Sequence, residues 1–363
     1  MTKRVLLFIN DMSGGGAQNG IATLFKYGFL QQAEVTVVAL IRGDGLALPA
    51  FEQAGVKVHI LYDSPTLRVR HMLQGLFGYA KIWLKVKPQL VILSLAQANM
   101  IGRVVGMVLR SRLVVFEHSV NYGKLIYGKI LKLLSLGLWG SVADCKETLT
   151  ATKQFYLRPA HMLGWDIPLA IVQPQPAHPQ VLHSPVRLVS AGRLAPEKNF
   201  GAVVQALAML KAQNIAATWT VFGQGPEMEN LMAQAAHLGV VEQITLAGYH
   251  PQWASQLKEH DVYVQPSLRE GLSITTIEAM ATGIPVIASP VGGIPSYSNA
   301  GEHFMAIDPH DATTLASAIT ELVKNPKQAA RMGNAAQSHI VAQFGEDTAR
   351  ATIADVSRQL LNV

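Results

Sequence analysis

Short runs of aliphatic and β-branched residues alternate along this chain with longer stretches in which apolar residues recur every three to four positions. In the first half, the runs predict strands at residues 4–9, 34–40, 57–61, 90–93, 113–116 and 140–143. The periodic stretches predict helices at residues 19–31, 69–86 and 99–109. Strands that alternate with helices are typical of a parallel sheet that is covered by helices on both faces.

A proline-rich segment at residues 165–185 interrupts this rhythm. Proline lacks a backbone N–H and fixes φ, so the segment predicts a linker. Its prolines are Pro168, Pro174, Pro176, Pro179 and Pro185. The alternation then restarts, with strands predicted at residues 186–191, 218–222, 243–246, 262–266 and 285–288, and helices at 199–213, 227–237, 253–259 and 273–282.

The pattern predicts an α/β protein with two Rossmann-like, doubly wound domains. We expect a first domain at residues 1–170, the linker at 171–185, a second domain at 186–345, and a C-terminal helix at 346–363 that packs back on the first domain. The two sheets would face each other across a cleft lined by the carboxyl ends of their strands. Open α/β sheets bind their ligands at that edge.

Composition narrows the class of protein. Hydrophobic residues make up 49% of the chain and charged residues 15%, which argues against intrinsic disorder. The single cysteine, Cys145, excludes an internal disulfide and fits a reducing compartment. The apolar run at residues 5–9 is too short for a secretory signal, and no run reaches the roughly 20 residues of a membrane span. We therefore expect a cytoplasmic protein.

The net charge of +6 is unevenly distributed. Residues 1–175 hold 19 Lys and Arg against 9 Asp and Glu, a balance of +10, whereas residues 176–363 hold 11 against 15, a balance of −4. This asymmetry indicates that the first half faces an anionic partner, such as nucleic acid, a phospholipid surface or an acidic saccharide. The alternative is a surface charge that only keeps the protein soluble.

Two motifs that follow predicted strands could bind phosphate. Residues 13–16, SGGG, precede a helix, and glycine lets a backbone approach a phosphate at a helix N-terminus, although a plain tight turn fits equally well. Residues 192–199, GRLAPEKN, carry Arg193 and Lys198. Two fixed cations suit a diphosphate, and the alternative is a pair of ordinary surface charges. Asn199 could cap the helix that follows.

The third motif spans residues 266–288, PSLREGLSITTIEAMATGIPVIA. Glu270 lies in a predicted loop, and Glu278 lies inside an otherwise apolar helix, where a buried carboxylate needs a partner. The two hydroxyls of a ribose would satisfy it, and an internal ion pair is the alternative. Free N–H groups near Leu272 and Ser273 suit phosphate oxygens.

On these residues the chain resembles the retaining GT-B glycosyltransferases of family 4 (GT4). Glu270 and Glu278 match the E-x7-E motif of that group, and GRLAPEKN and EAMATGIPVIASPVGG resemble its second-domain signatures. Further similarities are FGQGP at residues 222–226, Gly248-Tyr249, the GGGAQ loop and Glu117-His118-Ser119. The resemblance covers nearly the whole chain. Two positions depart from the pattern, at residues 144–145 and 173–174.

The resemblance implies a role for each matching residue. Arg193 and Lys198 would bind the diphosphate of the donor, and Glu278 would bind the ribose. Glu270 and His118 would lie near the donor sugar, although a histidine that follows a strand is more often structural. The remaining donor contacts would come from Gly15, Gly16, Gly223, Tyr249, Gly271, Leu272 and Ser273.

The implied activity is transfer of a sugar, with retention at the anomeric carbon, from a nucleotide diphosphate-sugar, with UDP as the first expectation. The acceptor would be a saccharide or a lipid-linked saccharide of cell-surface polysaccharide or lipopolysaccharide synthesis. The sequence contains no D-x-D motif, so Arg193, Lys198 and helix N-termini would stabilise the leaving group in place of Mg²⁺. We expect no metal and no cofactor. No carboxylate is a compelling nucleophile, which favours a same-face substitution.

Two alternatives to a transferase are a nucleotide-sugar 2-epimerase with the same architecture and a catalytically silent GT-B scaffold. The GRLAPEKN block argues against the first. The complete set of Arg193, Lys198, Glu270 and Glu278 argues against the second.

Two basic amphipathic stretches give the positively charged half a candidate partner. Residues 66–87 and 122–136 place lysines and arginines among bulky apolar residues, as in helices that lie on an anionic membrane face. Ordinary amphipathic helices of the domain are the alternative. We predict peripheral contact with an anionic membrane, at the inner face of the cytoplasmic membrane. Nucleic acid is not expected, because no RRM, zinc or helix-turn-helix signature is present.

Overall fold

A computed structural model describes residues 2–118, 126–157, 162–176 and 182–362. The chain forms two compact units. The first comprises Met1–Ile171 and Asp347–Val363, and the second comprises Val172–Glu346.

The first unit contains a seven-stranded parallel sheet. Its strands are β1 (Lys3–Ile9), β2 (Ala33–Ile41), β3 (Val58–Tyr62), β4 (Leu90–Ser94), β5 (Arg112–Glu117), β6 (Leu138–Ala143) and β7 (Leu163–Asp166), in the spatial order β3-β2-β1-β4-β5-β6-β7. The helices of this unit are α1 (Gly16–Lys26), α2 (Leu48–Gln53), α3 (Val69–Val86), α4 (Ala96–Val108), α5 (Ile126–Leu133), α6 (Lys146–Phe155) and, from the end of the chain, α13 (Glu346–Asn362).

The second unit contains a six-stranded parallel sheet. Its strands are β8 (Val186–Ala191), β9 (Ala217–Phe222), β10 (Ile244–Gly248), β11 (Val262–Gln265), β12 (Val286–Ala288) and β13 (Met305–Ala306), in the order β10-β9-β8-β11-β12-β13. Its helices are α7 (Gly201–Ala212), α8 (Met228–His237), α9 (Ile274–Ala281), α10 (Ile294–Tyr297), α11 (Ala312–Lys324) and α12 (Pro326–Phe344), together with 3₁₀ turns at Pro196–Lys198, Val241–Gln243 and Trp253–Glu259.

The central strands are buried on both faces because helices cover each sheet. In β1 every side chain from Val5 to Ile9 is fully buried. Leu6 pairs with Thr36 of β2 on one side and with Val91 of β4 on the other, in parallel register. Continuous apolar runs are therefore required in this sheet, where alternation would leave one polar face buried.

Several predicted elements differ from the observed ones. The proline-rich segment at residues 165–185, which predicted a linker, begins inside β7. Trp165 and Asp166 of this strand pair with Val142 and Ala143 of β6. The prediction failed there because an edge strand of four residues carries no periodic signal. The predicted helix at residues 253–259 is a 3₁₀ turn, and β13, only two residues long, was not predicted. None of the described helices is both long and apolar enough to span a membrane.

The C-terminal helix α13 packs within the first unit. The backbone N–H of Leu30 donates to Ser357 Oγ at 3.0 Å, and the indole N–H of Trp165 donates to Gln359 Oε1 at 2.6 Å. The guanidinium of Arg350 lies 4.7 Å from the centre of the Tyr27 ring. These contacts belong to a segment that the chain reaches only after completing the second unit.

Candidate active site

The predicted residues of the second unit follow the carboxyl ends of parallel strands and share one edge of the sheet. Arg193 and Lys198 follow β8, Gly223 follows β9, Tyr249 follows β10, and Glu270 follows β11. The strand order places β9 and β10 on one side of β8, and β11 to β13 on the other. The direction of winding therefore reverses between β8 and β11, which is where open α/β sheets bind ligands.

The loop that carries Arg193 lies directly against the turn after β9. Gly223 has φ of +153°, and a Cβ on it would lie 1.8 Å from the carbonyl oxygen of Gly192. A Cβ on Gly225 would lie 2.2 Å from the carbonyl oxygen of Leu194. Only glycine permits this approach, so the G-x-G-P turn is a packing requirement of the Arg193 loop.

Arg193 and Lys198 have different surroundings. Arg193 is exposed, and its guanidinium has no hydrogen bond or ion pair with any residue that the structure describes. The Lys198 ammonium binds both oxygens of Glu270, at 2.8 Å from Oε1 and 2.9 Å from Oε2. The first cation is free to bind an anion, whereas the second is already held by a carboxylate.

Glu270 is held by the end of β11 as well as by Lys198. Its Oε1 also accepts from Ser267 Oγ at 2.6 Å and from Gln265 Nε2 at 2.8 Å. The Tyr263 hydroxyl donates to Gln265 Oε1 at 2.5 Å and fixes the orientation of that amide. Glu270 Oε2 receives only Lys198 among the described residues, so it can still accept a hydrogen bond.

Asn199 joins the two loops of this pair. The prediction that it caps α7 is wrong, since Phe200 is the N-cap and Asn199 adopts a left-handed conformation with φ of +53°. Its amide instead donates to the carbonyl oxygens of Pro266, at 3.1 Å, and Pro309, at 2.7 Å. Asn199 therefore fixes the loop after β8 to the loop after β11.

Glu278 is on α9, half-buried, beside the 3₁₀ turn at residues 253–259. Its Oε2 accepts from the indole N–H of Trp253 at 2.9 Å. Burial raises the pKa of Glu278 to about 7, and the hydrogen bond from Trp253 opposes this rise. Within the described residues it has no ion pair, so the alternative of an internal salt bridge does not apply, and its second oxygen has no hydrogen-bond donor.

The start of α9 offers unpaired backbone donors. Ser273 is the N-cap with φ of +63°, and its side chain makes a 2.9 Å contact with Thr276 Oγ1. The N–H groups of Gly271, Leu272 and Ser273 donate to nothing in the described part of the chain. A helix start with free N–H groups is a favourable place for phosphate oxygens.

A second glycine contact positions this start. The Gly293 N–H donates to the carbonyl oxygen of Gly271 at 2.7 Å. A Cβ on Gly292, which has φ of +60°, would lie 2.4 Å from the carbonyl oxygen of Glu270. The glycines that follow β12 therefore hold the backbone around Glu270 and Gly271.

The glycine loop of the first unit has acidic neighbours. The Ser13 N–H donates to Asp11 Oδ1 at 2.9 Å, and the Gly14 N–H donates to Asp44 Oδ1 at 3.1 Å. Gly15 is the N-cap of α1, and Gly16 begins the helix. The carboxylates of Asp11 and Asp44 disfavour a phosphate here, because like charges repel. The role of Gly15 and Gly16 in donor binding stays a prediction.

His118 follows β5 in the first unit. Its Nε2 lies 2.9 Å from Ser94 Oγ, and its ring stacks on Phe116 with centroids 4.6 Å apart. Burial lowers its pKa to about 3, so the imidazole is neutral at neutral pH. Its Nδ1 is buried and has no hydrogen-bond partner among the described residues.

Comparison with known proteins shows which family the second unit resembles. Residues 176–339 match the family described as Glycosyl transferases group 1. Over these residues the chain is similar to that family. The matched residues contain both loops of the Lys198–Glu270 pair and all of α9.

Curated relatives match over about half of their length. The amylovoran biosynthesis glycosyltransferase AmsK of Erwinia amylovora is 28% identical over 187 residues, which are 49% of this chain and 46% of the relative. The GDP-mannose-dependent alpha-(1-6)-phosphatidylinositol monomannoside mannosyltransferase of Mycobacterium tuberculosis is 30% identical over 203 residues, 51% of this chain and 52% of the relative.

A solved structure extends the likeness to the whole chain. Anabaena Alr3699/HepE in complex with UDP-glucose matches with a TM-score of 0.80 at 17% identity, over 98% of this chain and 99% of that one. At this identity the likeness shows the fold, so the predicted GT-B architecture of two parallel α/β domains is confirmed. With the family match, the resemblance to GT4-like GT-B glycosyltransferases is confirmed too.

Several residues that hold Glu270 and Glu278 in place were not singled out from the sequence. Trp253, Gln265, Ser267 and Gly292 contact the predicted residues. Ser267 and Gly292 lie within the motifs quoted above but were given no role, and Trp253 and Gln265 lie in a predicted helix and a predicted strand without a motif. In the first unit Arg103 was not singled out either, although it is fully buried and donates from Nε to Asn99 at 2.9 Å. An arginine inside an otherwise apolar helical stretch was the available signal.

Proposed function

We propose that this protein is a retaining, metal-independent glycosyltransferase that moves a sugar from a nucleoside diphosphate-sugar, with UDP as the expected nucleotide, to a saccharide or lipid-linked acceptor in cell-surface polysaccharide synthesis. The observation that carries the proposal is the Lys198–Glu270 pair at the point where the second sheet reverses its winding. Arg193, which follows β8, and Glu278, which lies on α9, belong to the same unit, and within the described residues the Arg193 guanidinium and one Glu278 oxygen have no partner.

Three features support binding of a nucleoside diphosphate. Arg193 is an exposed cation without a partner in the described residues, and guanidinium groups bind phosphate oxygens in pairs. The free N–H groups of Gly271 to Ser273 suit further phosphate oxygens. The oxygen of Glu278 that Trp253 leaves unbonded can accept a ribose hydroxyl, and a hydrogen bond to the carboxylate favours its charged form.

Departure of the nucleoside diphosphate develops negative charge on the phosphate oxygen. Arg193 and Lys198 would stabilise that charge as preorganised cations, and loss of one such donor typically costs about 3 kcal/mol of barrier. We assign this task to the two cations and to the N-terminus of α9, with no metal ion in the step.

Glu270 has two tasks in this proposal. Its Oε1 accepts from three side chains and is saturated, so it positions Lys198. Its Oε2 is the atom that can accept a hydroxyl of the donor sugar. A carboxylate held by an ammonium, an amide and a hydroxyl is a poor nucleophile, which supports a same-face substitution. His118, neutral at neutral pH, would serve as a hydrogen-bond partner of a sugar hydroxyl.

The test is a screen of nucleoside diphosphate-sugars that reads released nucleoside diphosphate, with and without candidate saccharide and lipid-linked acceptors. We expect acceptor-dependent release that persists in the presence of a metal chelator. Product anomers analysed by NMR should keep the configuration of the donor. Isomerised donor without an acceptor would indicate an epimerase, and no turnover of any bound donor would indicate a silent scaffold.

A further inference from the structure

Helix α3 exposes a row of large apolar side chains. Val69, Leu73, Phe77 and Leu84 fall within an arc of about 80° at about 100° per residue. Val69 is 81% exposed and Phe77 is 80% exposed. Single exposed apolar residues are ordinary, but a continuous row on one helix face indicates an interaction surface.

The opposite face of α3 anchors the helix to the sheet. Tyr79 is fully buried and stacks on Phe8 of β1, with ring centroids 4.2 Å apart. A Cβ on Gly75 would lie 2.7 Å from Leu40 Cδ1 of β2, so the helix packs closely there. The exposed row is therefore held outward by a rigid attachment, and the apolar side chains cannot turn inward.

Cations flank the row without any acidic residue between them. Arg70, Lys81, Lys85 and Lys87 are exposed on α3 or at its end. Between residues 64 and 143 the sequence contains 11 Lys and Arg and a single acidic residue, Glu117. Glu117 is bound by Asn99, at 3.3 Å, and by the Tyr156 hydroxyl, so it does not offset the exposed cations.

The neighbouring helices extend the same pattern. Helix α3 packs against α4, and α4 packs against α5. Val108 at the end of α4 is 76% exposed, and Leu133 at the end of α5 is 64% exposed. Exposed cations accompany them at Arg110, Arg112, Lys129 and Lys132.

We propose that the exposed face of α3, continued by the ends of α4 and α5, binds the surface of an anionic lipid bilayer, with Phe77 and its neighbours inserted among the acyl chains. Lysines and arginines around an exposed apolar row fit this partner, because the cations can contact lipid phosphates while the apolar side chains are removed from water. A protein partner would require a matching acidic surface, and this face supplies no acid for reciprocal ion pairs. The proposal concerns the first unit and does not depend on transferase activity.

Vesicle binding tests the proposal without donor or acceptor. The full chain is mixed with phosphatidylcholine vesicles that contain or lack phosphatidylglycerol, and bound protein is measured by flotation at low salt and at about 0.5 M salt, where charges are screened. We expect binding only to the anionic vesicles at low salt. Failure to bind them would overturn the proposal and leave the proposed function untouched.

Insertion is tested separately from charge attraction. Phe77→Trp, compared with wild type to subtract the native tryptophans, should give a blue-shifted emission and quenching by brominated lipid with anionic vesicles only. An unchanged emission of this variant with bound vesicles would exclude insertion at α3.

Matched variants locate the surface. Lys81→Glu with Lys85→Glu should weaken vesicle binding by about tenfold or more, since each basic residue near an anionic surface adds to the attraction and each acidic replacement opposes it. Leu73→Gln with Phe77→Gln should also weaken it, with an unchanged melting temperature. The controls are Lys324→Glu with Lys327→Glu, and Met228→Gln, all exposed in the second unit. Equal losses in the controls, or self-association through α3 in sedimentation, would contradict the assignment.

Discussion

Lys198 binds both carboxylate oxygens of Glu270, with Nζ at 2.8 Å from Oε1 and 2.9 Å from Oε2. The two residues are 72 positions apart in the chain and follow β8 and β11, the neighbouring strands between which the sheet reverses its winding. The Lys198 side chain is 18% exposed and that of Glu270 is 5% exposed. The pair therefore ties together two loops and sets a charged group at the edge where a ligand would bind.

The first prediction concerns this pair. Lys198→Met should lower the free energy of unfolding by about 3 kcal/mol, because it leaves the buried carboxylate of Glu270 without its counter-charge. Adding Glu270→Gln should restore most of that stability while turnover stays low. Urea unfolding and nucleoside diphosphate release measure the two effects. A single variant as stable as wild type would contradict the structural role of the pair.

The second prediction separates Arg193 from Lys198. Arg193→Ala removes an exposed side chain, so the free energy of unfolding should change by less than about 0.5 kcal/mol. Turnover should fall by about 100-fold or more, because one cation no longer stabilises the leaving diphosphate. Lys258→Ala, at an exposed cation of the same unit, should change neither quantity. Turnover of Arg193→Ala near that of wild type would defeat the diphosphate assignment.

The third prediction concerns the stability contributed by Glu278. Burial raises its pKa from the ordinary value of 4.5 to about 7 in the folded protein, so its contribution to stability is fully present below about pH 4.5 and is lost as pH rises through about 7. Glu278→Gln has no charge to bury. The unfolding free energy of the variant, relative to that of wild type, should therefore increase by about 2 kcal/mol between about pH 5 and pH 8. One pKa unit is worth about 1.4 kcal/mol, and the value is reduced because the side chain keeps some solvent contact. A pH-independent difference would contradict the raised pKa.

The raised pKa of Glu278 also predicts how ligand binding depends on pH. Ribose hydroxyls donate to the carboxylate, so the affinity for UDP should rise as pH increases through about 7 and weaken below it. Glu278→Gln should bind UDP more weakly than wild type above about pH 7, and its affinity should rise less with pH, because only the second ionisation of the UDP phosphate remains. Calorimetric titration at several pH values measures both. Identical pH profiles for the two proteins would remove Glu278 from the ribose site.

The fourth prediction concerns the contact between the turns after β8 and β9. Gly223→Ala should destabilise the protein by several kcal/mol and weaken UDP binding, because its Cβ would overlap the carbonyl of Gly192 and displace the Arg193 loop. Gly239→Ala is the control, since Gly239 also has a positive φ, +65°, but has open space around its Cβ position. It should cost only about 1 kcal/mol and leave binding unchanged. Equal effects of the two variants would show that backbone strain alone, and no close approach, explains Gly223.

The local pattern of residues was sufficient to predict most of the elements. Helix α3 has the predicted bounds at residues 69–86, and strands β8 to β12 of the second sheet begin and end within two residues of prediction. Periodicity is a local property, and buried parallel strands require the unbroken apolar runs that the sequence shows. Strands β7 and β13 were missed because neither contains the run of buried apolar residues that identified the short strands β11 and β12.

The sequence by itself determined the fold class, the likeness to a glycosyltransferase family and the positions that carry the motifs, because each depends on residue type and spacing along the chain. Only the tertiary structure decided that Lys198 is held by Glu270 while Arg193 has no partner among the described residues, and that Trp253 is the partner of Glu278. These contacts join segments 72 and 25 positions apart. No local pattern encodes them, since strand order and loop packing bring such residues together only when the sheet has formed.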